Sequence, residues 1–422
     1  MTEQKHLKAR IRARMARTGE RYAAARRHVV GDAERPASDS GWTLRGGLHP
    51  ETAAVAHLLA DRGVELSEAM VLGLGGGLGA GYILWEFAAH DTTHLTLGFR
   101  NRWNYLDWTD RTLDRLGVRY RVHTTAGAKG AAAELAAVLA AGERALVVPD
   151  RYLVGYWHLP AHLEAHGGHP VVAYAATGAG VRIDDRNTRP LTVAADALDR
   201  ARARVSSYRN RLVVVADASP PEKLADLVRA AVRDGADHLG GTSASFALPA
   251  WRKWARLCTD RRNAKGWPTV FADGRGLATA LLTVWEAVEP VGMSGGHLRD
   301  LYAEFLDEVT PLLGERAAAA AEAFRAAGRR WHAFAEAALP ADVPEYARLR
   351  ELTAAVAAGV ALGDDGAAAR AEAAGELWRR RAELDRRPPV APDFGVLAEH
   401  LFAVHAAEQE AVALLRTVPQ VK

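Results

Sequence analysis

The chain has 422 residues, 49% of them hydrophobic and 25% charged, with a formal net charge of +3. That is apolar surface enough for two domains, and no apolar run reaches the roughly 20 residues a membrane span needs. A single cysteine, Cys258, excludes an internal disulfide framework and any multi-thiolate zinc or iron–sulfur site, so a reducing cytoplasm is the expected setting.

Charge is unevenly spread. Residues 1–30 hold nine Lys/Arg against Glu3 and Glu20, while the rest of the chain holds 45 basic against 49 acidic residues. The start has no apolar h-region, which argues against a secretory signal. Residues 1–44 read as a basic arm and a polar linker, "GDAERPASDSGWTL" having little to bury. Such an arm suits an acidic partner, but the acidic body argues against a dedicated nucleic-acid binder.

The apolar positions Ala54, Val55, Leu58 and Leu59 predict a helix over 51–62, and "LSEAM" predicts a second one capped by Ser67. The glycine-dense "MVLGLGGGLGAGY" follows, with "MVLGL" readable as a strand. "HLTLGFR" alternates like a strand, "YLDWTDRTLDRLG" is helical, and "YRVHTT" is strand-like again. "AAAELAAVLAAG" predicts a helix, "RALVVPD" a strand, "HPVVAYAATGAGVRIDDRN" a hairpin and "YRNRLVVVAD" another strand. After Ser219 strand signals nearly vanish, and Ala-rich, Leu-punctuated helical segments run to about Thr417. The expected architecture is an α+β domain over 45–216 and an all-helical domain over 217–422.

"GGGLGA" (75–80) matches a dinucleotide-binding pattern, but no acidic residue ends a second strand about 20 residues on. Close chain approach is the favoured explanation. The hairpin carries better chemistry. His169 opens its first strand and Asp184 and Asp185 close its second, so an imidazole and a carboxylate meet side by side. Alternation through Val181 and Ile183 selects Asp185 as the partner. A surface histidine beside a turn of aspartates satisfies the same spacing. A third feature is the helix start at 48–52, where unpaired amides and the dipole favour a reactive thiol or an oxyanion. Pro50 occupies it.

In this order, Gly47-Leu48-His49-Pro50-Glu51-Thr52, "VLGLGGGLGAGY", "DRYLVGY", "GGHPVVAYA" and "VRIDDR" resemble the butirosin biosynthesis protein H N-terminal family. "KGWPTVFADG", "GMSGGHLRDLYAEFLDEV" and "AAEAFRAAGRRWHAFAEAAL" resemble the helical domain that often follows it. The resemblance implies a papain-like, bacteriocin-peptidase-like fold and acyl transfer from a carrier-protein thioester through Cys, His and Asp. It places the His at His169, the Asp at Asp185 and the lost nucleophile at Pro50, with His49 and Glu51 beside it.

Thr52, His49 and Cys258 are weaker substitutes for the missing thiol. Tyr152 and Tyr156 are expected to line a substrate cleft, and no metal or cofactor is expected beyond a partner's phosphopantetheine. The expected partners are an acyl carrier protein or a small-molecule substrate, without a membrane; a homodimer is allowed. Two function classes stay open. One is a cysteine-less acyltransferase or cyclase using His169 and Asp185 as general base. The other is an inactive pseudoenzyme that binds or scaffolds in a biosynthetic pathway.

Overall fold

Helix α1 (Pro50–Asp61) starts on a proline, which suits a first turn whose N–H has no intrahelical partner. His49 caps it, its side chain accepting from the Thr52 amide. Helix α2 (Glu68–Leu74) is capped by Ser67, whose Oγ accepts from Met70 N at 2.8 Å. "MVLGL" therefore lies in a helix rather than a strand. The structure, a computed structural model, describes residues 41–87, 92–102, 105–386 and 391–418. The basic arm over residues 1–40, and the acidic partner expected for it, lie outside the described residues.

After α2 the glycines turn the chain into β1 (Leu78–Phe87), which pairs antiparallel with β2 (Thr92–Arg100). The order helix, glycine turn, strand is the reverse of the strand, glycine turn, helix that a dinucleotide site needs. Close approach explains the composition instead. A side chain on Gly75 would enter the Trp108 indole, and Gly77, at φ +70°, lies against the Tyr302 ring.

Helix α3 (Tyr105–Arg115), β3 (Arg119–His123), α4 (Ala128–Ala140), β4 (Ala145–Val147), β5 (Val171–Thr177) and β6 (Gly180–Asp184) follow. Then come β7 (Leu191–Val193), α5 (Ala195–Arg204) and β8 (Leu212–Asp217). These strands form one sheet in the order β3-β8-β4-β5-β6-β7, each neighbouring pair antiparallel. Its central strands are Val-rich and buried on both faces, whereas β3, at one edge, is largely exposed. Strands β1, β7 and helix α5 had no counterpart in the sequence reading.

Beyond Asp217 the described residues hold no strand. The longer helices are α6 (Leu224–Leu239), α7 (Pro249–Thr259), α8 (Leu277–Val288), α9 (Arg299–Glu308) and α10 (Glu315–Ala338). They continue through α11 (Pro344–Ala361), α12 (Ala367–Arg386) and α13 (Phe394–Thr417). The molecule is thus mixed α/β, with a sheet-bearing first part and a helical second part. The two share their core. Tyr82 of β1 stacks on Trp254 with ring centroids 4.8 Å apart, and Phe99 of β2 meets the edge of Trp331 at 5.0 Å.

The linker expectation needs correction at its end. Trp42 is 1% exposed, stacks on Tyr174 and donates to Asp184 Oδ2 at 3.0 Å; Leu44 is buried as well. A single indole carries enough apolar area to anchor an otherwise polar stretch.

Candidate active site

The β5–β6 register pairs Val172 with Asp184, so the residues just outside the two strands face one another. His169 Nε2 lies 2.7 Å from Asp185 Oδ2, and both residues are buried. The same Oδ2 accepts from Tyr156 Oη at 2.9 Å and Trp157 Nε1 at 3.0 Å. Oδ1 accepts from Arg186 Nε and Nη2 at 3.0 and 2.9 Å. The preceding aspartate points the other way, Asp184 Oδ2 meeting His57 Nδ1 at 2.9 Å besides Trp42.

These contacts fix protonation. Burial opposes the charge on Asp185, yet His169 and Arg186 hold its carboxyl well below the usual range. Burial also lowers His169, against the pull of Asp185. The ring is therefore neutral, its Nε2 proton donated to the carboxylate and its Nδ1 lone pair on the opposite side. Such an imidazole is a base.

Tyr156 belongs to this arrangement rather than to a cleft wall. Its hydroxyl is spent on Asp185, and burial followed by that carboxylate holds its proton on well above the ordinary tyrosine value. Tyr152 is half-buried in a turn organised by Asp150, whose carboxylate accepts from the amides of Tyr152, Leu153 and Ala165 at 3.0, 2.8 and 2.7 Å.

The α1 start is built by residues the sequence did not point to. Glu68, in the first turn of α2, accepts from Leu48 N at 2.8 Å, His49 N at 2.7 Å and Thr52 Oγ1 at 2.9 Å. Arg186 reaches from the hairpin to donate to Leu48 O at 2.9 Å, tying α1 to the dyad. Glu51 is fully buried, 2.9 Å from Arg100 and bonded by Thr109 Oγ1. Burial raises it to about 7 against those partners. His49 lies well below its ordinary value through burial, then through Arg100 and Arg186.

Pro50 removes more than a thiol. The amides of Leu48 and His49 go to Glu68, Thr52 N donates to His49 Nδ1 at 3.4 Å, and Pro50 has none. The Glu51 amide is what remains for an oxyanion. Cys258 is fully buried in α7 with its thiol pushed up by burial, and Thr52 is bonded to Glu68. Neither is placed as a nucleophile.

Residues 49–186 match the family described as Butirosin biosynthesis protein H, N-terminal. That match spans 138 of the 422 residues, the stretch that carries the resemblance. The match begins at the His49 cap and ends at Arg186, so it encloses the α1 start and the dyad. Residues 196–362 match a Domain of unknown function (DUF4872). No curated protein matches the chain. The second match supplies β8, which lies between β3 and β4, so the two matched regions share one sheet. The family takes its name from butirosin. Among the described residues no helix is long and apolar enough to cross a membrane.

Burial of neutral histidines has a consequence for stability. His49 and His169 are lowered from 6.5, and His94 falls to about 4 through burial and then Arg381. The unfolded chain takes up these protons near 6.5 while the folded chain does not. Their contribution to stability is therefore full above about 6.5 and declines as pH falls toward the folded values, by up to about 1.4 kcal/mol per pH unit for each group, against the opposite contribution of Glu51, raised to about 7. Urea midpoints measured from pH 7.5 down to 4.5 should drop progressively below 6.5. A flat profile would mean that these rings are solvated.

Proposed function

We propose that this chain acts on an acyl thioester without forming an acyl-enzyme. His169, oriented by Asp185, serves as general base for an amine or hydroxyl that attacks the thioester carbonyl directly. The acceptor's proton passes to His169 Nδ1, the new bond forms at the carbonyl carbon, the C–S bond breaks, and the leaving thiolate recovers that proton. The 2.7 Å contact between His169 Nε2 and Asp185 carries this reading, because it leaves a neutral imidazole with a free lone pair. The tie of the α1 start to the His169–Asp185 hairpin through Arg186 agrees with it, as does the family's name, taken from butirosin biosynthesis.

One observation favours the second reading, a binding or scaffold protein. Of the amides at the α1 start, those of Leu48, His49 and Thr52 are engaged and Pro50 has none, which leaves the Glu51 amide alone to steady an oxyanion. Single-turnover reactions of carrier-protein thioesters with candidate amines, followed by intact mass, separate the two. Direct transfer yields product with no protein adduct, and His169→Ala slows it by about 10²–10⁴-fold. Asp185→Asn slows it as well, by releasing the ring from its tautomer. Absent turnover, or turnover indifferent to both changes, leaves the binding reading.

A further inference from the structure

Two segments that carry the likeness in the helical part, "GMSGGHLRDLYAEF" and "AAEAFRAAGRRWHAF", meet in space. His297 and Asp300 come from the start of α9 and His332 from the middle of α10. His297 Nε2 and His332 Nε2 lie 3.2 Å apart, His332 Nε2 is 3.5 Å from Asp300 Oδ2, and His297 Nε2 is 4.0 Å from it. We propose that His297, Asp300 and His332 form a zinc site, with the fourth position open to water.

The geometry is that of a ligand set. Atoms bound at about 2.0–2.1 Å around a tetrahedral zinc sit roughly 3.3–3.4 Å from one another, and this triangle brackets that spacing. The second shell fits as well: His332 Nδ1 meets Glu289 Oε1 at 2.8 Å, which directs Nε2 toward the other two residues. Asp300 and Glu289 supply two negative charges for a dication. The neighbouring Arg299 guanidinium is paired with Glu408 at 2.8 Å and donates to the His297 carbonyl at 2.7 Å.

The backbone is cut to admit the cluster. Gly328 lies inside the 24-residue α10, where glycine costs about 1 kcal/mol relative to alanine. A side chain there would come within 2.9 Å of Asp300 Oδ1 and 3.1 Å of His297 Cε1. One contact works against the ion: the Arg299 amide donates to His297 Nδ1 at 3.0 Å, which puts the neutral ring's proton on Nε2, facing His332. Zinc on Nε2 of a neutral His297 needs the ring proton on Nδ1, so binding would displace the Arg299 amide from that nitrogen.

The cluster escaped the sequence expectation of no metal. That expectation weighed thiolates, and His332 stands 32 residues beyond Asp300. The loop before His297 also bears on the candidate active site, since a side chain on Gly295 would come within 2.4 Å of Leu48 O and 2.8 Å of His49 Cα. Zinc would therefore brace the loop lying on the α1 start.

The test is metal titration of the full chain after chelator treatment. Cobalt(II) absorption would report geometry, and zinc competition against a chromophoric chelator would report affinity. The expected result is one ion per chain with an intense tetrahedral cobalt spectrum. Affinity should fall at least about 100-fold in His332→Gln and Asp300→Asn, and about 10–100-fold in Glu289→Gln. His332 and Asp300 are about one-third exposed, so both variants should fold, and their melting in chelator should match the wild type. Absence of a stoichiometric site, a weak octahedral spectrum, or binding that survives both substitutions would each overturn the proposal.

Discussion

Pro50→Cys is expected to let the chain form a covalent acyl intermediate. The substitution places a thiol at the first position of α1, where the helix dipole favours a thiolate, and it restores a backbone amide at residue 50 for an oxyanion. Glu68 and Arg186 already hold the turn, and His169 is held neutral with Nδ1 unspent. Proline at a first helical turn contributes mainly by stiffening the unfolded chain, so its loss should cost under about 1 kcal/mol. With an acyl thioester, the variant should gain the mass of one acyl group. Alkylation by iodoacetamide should be about 100-fold faster than in Pro50→Cys combined with His169→Ala, because the imidazole takes the thiol proton. Wild type, whose Cys258 is buried, should remain unmodified while folded. A thiol at 50 that stays inert would separate α1 from the dyad and strengthen the binding reading.

Glu408→Ala should produce the largest loss of stability, about 3–5 kcal/mol in urea unfolding at pH 7, with an unchanged denaturant slope. Glu408 and Arg299 are both fully buried. The carboxylate accepts from Arg299 Nε at 2.8 Å and Nη2 at 2.9 Å, and from the indoles of Trp331 at 2.6 Å and Trp251 at 3.2 Å. Removing it strands a guanidinium and two indole N–H groups in an apolar core. Arg299 is itself a strut, donating to Gly79 O at 3.0 Å and Phe99 O at 3.4 Å, so it joins α9 and α13 to the β1–β2 hairpin. Joint replacement of Arg299 and Glu408 by apolar residues should recover most of the loss, since desolvation offsets much of a buried pair's attraction. The exposed pair Arg200–Asp196 should show no comparable effect when broken. A small effect from Glu408→Ala would mean that water reaches the pair.

Some of this was legible from residue order alone. Local rules govern the α1 start with its proline, the Ser67 cap and the β5–β6 hairpin, because each depends on neighbours within a few residues. Alternation within β6 selected Asp185 over Asp184, since a strand's side chains change face at every step. The ordered motifs carried the family. Other features were hidden because their partners are distant in sequence. Glu68 stands in the first turn of α2, and only the folded chain turns it back onto the amides of Leu48 and His49. Tyr156 looked like a cleft aromatic, but tertiary packing buries its hydroxyl against Asp185. Strand β1 was missed because glycines mask its alternation, and its Tyr82 is covered by Trp254, more than 150 residues away. Residue order sets which short-range elements form and carries the likeness to the matched family. The tertiary structure decided which carboxylates face which donors, and therefore which protons are held, because that depends on burial and on contacts that no local spacing encodes.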